Sequence, residues 1–290
     1  MKVAVYGKEF SDSFVPVMQT FLDKLYSAGA EVWLVKRFAD FIQNSHPGIN
    51  SGFQVFDPLQ EIPSDIKYLF SIGGDGTFLE ATSIIKGKNV PIVGINSGRL
   101  GFLAYISKDE LEQSLDYIFE GNYTIEERTL IEIKTSDGKV HDFALNEVAV
   151  QKKDSKMITI QAYLNNEMLN SYWADGLIIS TPTGSTAYSL SAGGPIVVPG
   201  SQNFILSPIS PHTLAVRPIV IPDYHDIRLK VNGRCKQFLV SVDYRSYFLD
   251  MSVEIELKKS VETIKMIKLK DHSFYNTIRT KLMWGVDRRN

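Results

Sequence analysis

The sequence predicts an α/β N-terminal domain built on a parallel sheet, then a β-rich, sandwich-like C-terminal domain with a closing C-terminal helix. Three observations predict it. Residues 1–123 alternate short β-rich runs with helical apolar spacings, as strands joined by crossover helices do. Residues 124–270 carry strand patterns across tight turns, with hardly any helical period. Residues 271–290 return to a helical pattern, expected to pack back on the first domain.

Each element has its own reason. Lys2 to Tyr6 reads as a buried strand. Val17, Phe21, Leu22 and Leu25 lie on one face of a helix from Pro16 to Ser27, which Gly29 ends. Glu31 to Val35, Tyr68 to Ile72 and Pro91 to Ile95 are further strands. Thr77 to Lys86 and Asp109 to Phe119 are helices, the latter with Leu111, Leu115 and Ile118 on one side. The pattern changes near Gly121. Leu130 to Lys134 meets Lys139 to Ala144 through Ser136-Asp137-Gly138, a hairpin signal. Met157 to Leu164 turns at Asn165-Asn166 toward Met168 to Trp173. Ile227 to Val231, Gln237 to Val242 and Val253 to Leu257 continue the series, with Lys258-Lys259 read as a solvated turn. Ser273 to Trp284 closes the chain as a helix.

The composition bounds the function. A chain of 290 residues is long enough for two domains, and 44% apolar with 22% charged residues excludes pervasive disorder. Lys and Arg total 31 against 33 acids, a formal charge of −2, which argues against nonspecific nucleic-acid binding. The single Cys235 excludes an intrachain disulfide and suits a reducing compartment. With neither a signal-peptide core nor an apolar run of the ~18 residues a membrane span needs, a soluble, cytoplasmic protein is expected. The five histidines show no metal spacing, and no HExxH or GxSxG occurs.

Two glycine turns stand at strand ends in the first domain. Gly73-Gly74-Asp75-Gly76-Thr77 follows a strand and precedes a helix, where free N–H groups and the helix dipole favour phosphate. An acid in such a turn is electrostatically costly unless it handles a proton or a metal. That makes Asp75 the candidate of interest, against the plainer reading of a helix N-cap. The turn is neither a P-loop nor a dinucleotide fingerprint, because no Gly-Lys-Ser/Thr follows and GxGxxG is absent. Gly94 to Gly101 repeats the arrangement at the next strand. A ligand at the carboxyl edge of an open sheet is therefore expected, with Gly98 and Arg99 able to meet phosphate there.

The second domain carries Asn146-Glu147 at a strand end, where Asn can pair with a base edge and Glu can accept from ribose hydroxyls. Its sharpest segment runs from Asp175 to Pro195. An apolar strand there leads into hydroxyls, glycines and small residues that expose backbone groups beside Thr186, Tyr188, Ser189 and Ser191. Such a surface suits a polar, hydrogen-bonding ligand better than a flexible linker, since Pro182, Tyr188 and Leu190 interrupt it.

Taken in order, Gly73 to Thr77, Gly94 to Leu103, Asn146-Glu147, Asp175 to Pro195 and Pro211 to Pro218 resemble the motif set of bacterial NAD kinases. The GGDGT turn is shared with phosphofructokinases and lipid kinases; the TPTGSTAYSLSAGGP segment is the specific part. The resemblance implies phosphorylation of the 2′-hydroxyl of the adenosine ribose of NAD by ATP, with a divalent cation, Mg²⁺ or Mn²⁺. It implies Asp75 as proton acceptor with Gly76 beside it, and Gly73, Gly74, Thr77, Gly98 and Arg99 near the triphosphate. NAD contacts fall on Asn146, Glu147, Asp175, Thr186, Ala187, Tyr188, Ser189, Leu190 and Ser191. Lys156, Trp173 and Arg245 fall at further NAD-side positions where, like Tyr244, they depart from the family's usual residues. A homo-oligomer, tetramer or dimer, is the implied assembly. Two other readings stay open at this point: a lipid or sugar kinase sharing the GGDGT turn, and a non-catalytic NAD(P)-binding sensor.

Overall fold

The structure, a computed structural model, describes residues 1–50, 52–58, 62–98, 101–270 and 272–285. The chain divides into two compact units, Met1–Glu127 with Ile264–Asn290, and Arg128–Thr263.

The first unit alternates strand and helix. Strand β1 (Lys2–Gly7) leads into α1 (Val15–Ser27), whose Pro16 sits in the first turn, where a missing N–H costs nothing. Met18, Phe21, Leu22 and Leu25 form its buried face. Then come β2 (Glu31–Val35), α2 (Lys36–Ser45), β3 (Gln54–Phe56), β4 (Ile66–Gly73), α3 (Asp75–Ile85), β5 (Ile92–Asn96) and α4 (Leu111–Phe119). Every pairing among these strands is parallel: β5 beside β4, β4 beside β1, β1 beside β2 and β2 beside β3. β1 and β5 are apolar along nearly their whole length, as strands covered by crossover helices must be. The carboxyl ends of β4 and β5 fall side by side, Gly73 opposite Asn96, so both glycine turns open at one edge of the sheet.

Strand β6 (Tyr123–Thr135) carries the chain into the second unit. There β7 (His141–Ala144), β8 (Glu147–Lys152), β9 (Ile158–Leu164), β10 (Glu167–Ala174) and β11 (Gly176–Ser180) precede the short helix α5 (Tyr188–Ser191). β12 (Asn203–Ile209), β13 (Ile219–Pro222), β14 (Ile227–Gly233), β15 (Gln237–Val242), β16 (Arg245–Asp250) and β17 (Ile255–Leu269) follow. Six strands make an antiparallel sheet in the order β13-β12-β11-β8-β15-β16. Opposite it, β10, β9, β14 and the first part of β17 pair antiparallel. One apolar core, including Val148, Val150, Ile160, Leu177, Leu206 and Phe238, fills this sandwich.

β17 is longer than the sequence implies. Lys258 and Lys259, read there as a solvated turn, lie inside it: Lys258 is exposed, and Lys259 reaches the buried Asp223 with its Nζ 2.7 Å from Oδ2. Its last residues return to the first unit, where Met266 pairs parallel with Ile92 of β5. Helix α6 (Phe274–Leu282) closes that unit, burying Ile278 and setting its Phe274 ring 6.3 Å from Phe102. The predicted α/β domain, β-rich domain and closing helix are all present. No helix among the described residues is long and apolar enough to cross a membrane.

Candidate active site

Asp75 is the first residue of α3, with Gly74 as its N-cap, and its side chain makes no cap bond. Its carboxylate turns instead to the loop that follows β5. Phe102 N–H donates to Oδ2 at 2.8 Å, and Leu103 and Ala104 N–H donate to Oδ1 at 2.9 and 3.0 Å. From α6, Lys281 Nζ stands 3.4 Å from Oδ2. The loop is held down by Asn96, whose N–H reaches the Ile106 carbonyl at 2.8 Å and whose Nδ2 reaches Ala104 O at 3.2 Å. Residue 101 must be glycine, because a Cβ there would collide with Asp75 Oδ1. With 28% of its side chain exposed, the carboxylate is fixed yet reachable.

Around this acid the backbone is open. Gly74 and Gly76 face free space on the side where a Cβ would stand, and Thr77 is buried against Gly73. Gly98 also borders open space while its N–H donates to Asn96 Oδ1 at 2.8 Å. It lines a cavity of about 280 Å³ with Ser13, Asn96, Ser97, Ser107 and Lys108. The structure thus brings Gly73, Gly74, Asp75, Gly76 and Thr77 together at one sheet edge with Gly98. Arg99 lies outside the described residues.

In the second unit, Asn146 lies two residues past the end of β7 and Glu147 opens β8, so the pair sits in a short connection held in place from elsewhere in the chain. The agent is Asp243, in the two-residue turn between β15 and β16, with φ at 51°. Its carboxyl accepts from Leu145 and Asn146 N–H at 2.8 Å and from Glu147 N–H at 3.1 Å. Thr181 Oγ1 donates to Leu145 O, and Thr181 N–H donates to the Asn146 carbonyl at 2.9 Å. Gly184 lies so close to the Asn146 backbone that any side chain at 184 would overlap it. Burial, and then the carboxyl of Asp243, push Glu147 up to about 8, against a hydrogen bond from Tyr188 N–H that pulls it down. Asp243 is raised as well: burial outweighs its three peptide donors and the charge of Arg245. The protonated form of Glu147 is thereby favoured and can donate as well as accept, and its Oε2 has no hydrogen-bond partner among the described residues.

The other predicted contacts divide. Tyr188 is half-exposed at the start of α5, beside Glu147. Thr186, Ala187 and Leu190 are partly exposed, Ser191 is exposed, and Ser189 is fully buried with its hydroxyl 2.9 Å from Ser207 Oγ. Asp175 holds Lys152 at 2.6 Å. Lys156 is exposed, its N–H capped by Asp154, and Trp173 is exposed beside the His212 ring. Arg245 is committed to its neighbours, with Nε 2.8 Å from Asp142 Oδ2 and an N–H bond of 2.6 Å to Phe143 O.

Among the described residues no three His, Cys, Asp or Glu side chains converge into a metal cage. Asp75 already faces four donors, so its oxygens are not arranged to coordinate a cation. The donor set of the described residues does not fit a resident metal. A cation entering with a nucleotide would take most of its ligands from phosphate and water. Sequence reasoning assigned no role to Asp243, Gly101 or Lys281, and reached Thr181 and Gly184 only as members of the Asp175–Pro195 segment. Gly101 carried a signal as the last glycine of its turn; Asp243 and Lys281 act across long stretches of chain.

Known proteins resemble the chain over its whole length. Residues 40–123 match the ATP-NAD kinase N-terminal domain, and residues 145–269 match the ATP-NAD kinase C-terminal domain, so neither match reaches α6. The chain is 43% identical to the NAD kinase of Cytophaga hutchinsonii over 294 residues and 43% identical to that of Flavobacterium psychrophilum over 295. Both alignments cover 100% of each chain. It is 40% identical to the NAD kinase of Bacteroides fragilis over 292 residues, again with 100% of both chains covered. Among solved structures, an NAD kinase from Archaeoglobus fulgidus in complex with ATP aligns at TM-score 0.74 and 27% identity, covering 98% of this chain and 99% of that one. Yeast NADH kinase complexed with NADH aligns at TM-score 0.86 and 24% identity over 99% of this chain and 89% of the other, a likeness of fold.

Proposed function

The chain belongs to the NAD kinase family, and on that premise we propose how its residues divide the transfer of a phosphoryl group from ATP to NAD. The acceptor is the 2′-hydroxyl of the adenosine ribose, and the product is NADP. Asp75 accepts the proton. The hydroxyl O–H bond breaks, the oxygen bonds to the γ-phosphorus, the bridge to the β-phosphate breaks, and ADP leaves. Such a reaction asks for positioning, charge neutralisation and a base, with little covalent work by the protein.

The observation that carries this reading is the setting of Asp75. Three peptide N–H groups fix its carboxylate at a strand–helix junction, while 28% of the side chain stays accessible. An acid serving only as a helix cap would be spent on the N–H groups of its own helix, and this one is not. Gly73, Gly74, Thr77 and Gly98 hold the triphosphate, which arrives with a divalent cation, and Gly76 meets NAD beside Asp75. Asn146, Glu147, Asp175 and the Thr186–Ser191 run hold NAD, with the protonated Glu147 donating to a ribose or base acceptor. The protein works in the cytoplasm as a homo-oligomer.

The test is Asp75→Asn, which keeps the shape and removes the basic oxygen. Incubated with NAD, ATP and Mg²⁺, with product read by an NADP-specific dehydrogenase, the variant is expected to lose about 10²-fold or more in turnover. NAD binding by calorimetry should be largely kept. Turnover near the wild-type rate would falsify the assignment.

A further inference from the structure

We propose that Lys281, on the closing helix, is a positioning residue for Asp75 in the phosphoryl transfer; the proposal rests on Asp75 being the proton acceptor. A carboxylate offers about four lone-pair sites. Here Oδ1 takes two peptide donors, Leu103 and Ala104 N–H, whereas Oδ2 takes only Phe102 N–H, and the Lys281 ammonium faces the remaining place. The Lys281 contact at 3.4 Å is longer than the roughly 2.7–2.9 Å of a tight charge-assisted bond. The three peptide donors come from consecutive residues of one loop. The ammonium sits on a flexible stem and can yield to an incoming hydroxyl.

Two further contacts make the arrangement more than a chance meeting of exposed charges. The Lys281 ammonium also lies 4.4 Å from the centroid of the Phe102 ring, a cation–π distance. The Phe102 ring in turn packs against Phe274 at the start of α6. Helix α6 therefore grips, at its two ends, both the residue whose N–H holds Oδ2 and the cation that shares Oδ2. A cation in the last turn of a helix is also where the dipole favours one, and Lys281 occupies that turn. Without the ammonium, Oδ2 keeps one donor against two on Oδ1, and its remaining lone pair has no cation to hold it in line for the acceptor hydroxyl.

The experiment uses the full chain with four variants: Lys281→Met, Lys281→Arg, Asp75→Asn, and Asp75→Asn with Lys281→Met. Thermal unfolding checks that each is folded. Lys281→Met should lower kcat about tenfold or more, with KM for NAD and ATP within about twofold of wild type. Lys281→Arg should recover most of the loss, because it restores the cation. In the Asp75→Asn background, Lys281→Met should bring no further loss. A wild-type or raised kcat for Lys281→Met overturns the proposal, as does further slowing of Asp75→Asn, which would put the lysine on the phosphoryl group. If Asp75→Asn is nearly inactive while Lys281→Met is normal, only this inference fails. If Asp75→Asn itself turns over normally, the proton-acceptor reading fails and takes this inference with it.

Discussion

Replacing Glu147 by glutamine removes a titration while keeping nearly the same shape, and its effect on stability should depend steeply on pH. In the folded chain Glu147 is pushed from the ordinary 4.5 up to about 8, first by burial and then by Asp243. The unfolded chain sheds this proton near 4.5, whereas the folded chain keeps it until about 8. Between those values the folded state binds more protons, so stability falls as pH rises through the window. Below it both states are protonated and the penalty vanishes. Above it the whole difference is felt, on the order of 5 kcal/mol. The amide of the Glu147→Gln variant has no charge to bury and escapes the penalty. Urea unfolding of wild type and variant at about pH 5, 7 and 9 is the assay. The variant should be close to wild type at the lowest pH and more stable by several kcal/mol at the highest. Two curves that run parallel across the range would refute the reasoning, since no differential protonation would then exist.

Other substitutions test the remaining joints. Gly101→Ala puts a methyl group into Asp75 Oδ1 and must displace the loop that orients it, so turnover should fall about tenfold or more at a stability cost of about 1–3 kcal/mol. Steady-state kinetics with thermal unfolding reads both, and an unchanged kcat would mean that the loop does not orient the acid. Asp243→Ala leaves the N–H groups of Leu145, Asn146 and Glu147 without their acceptor, and should destabilise the protein by about 3 kcal/mol or more while weakening NAD binding. Urea unfolding and calorimetry check it; wild-type stability would show that water replaces the carboxyl at no cost.

Much of the first unit was legible because its chemistry is local. The buried run Tyr68 to Ile72, the glycines after it and the helical spacing from Thr77 are three neighbouring signals for one strand–turn–helix, and β4 and α3 fall there. Helix α2 was missed: it follows β2 with no intervening turn residue and no side-chain cap, so nothing marks its start. Strand β12 was hidden by Pro208, ordinarily a breaker. Pro208 pairs with Leu177 on one side and lies beyond the last β13 partner on the other, so its missing N–H leaves no gap in that ladder. At the site, the acid and the glycines were readable because spacing encodes them. Asp243 lies 98 residues from Leu145 and Lys281 lies 206 from Asp75, separations that no periodicity or motif records. The weakened acidity of Glu147 was equally out of reach, because it arises from burial and from a neighbour that only the fold supplies.

The three peptide groups that face Asp75 come from consecutive residues, Phe102, Leu103 and Ala104. Whatever befalls that carboxylate is therefore written into three adjacent amide signals. Their chemical shifts and solvent-exchange rates form a built-in gauge, readable without touching the acid, of how firmly that carboxylate is held.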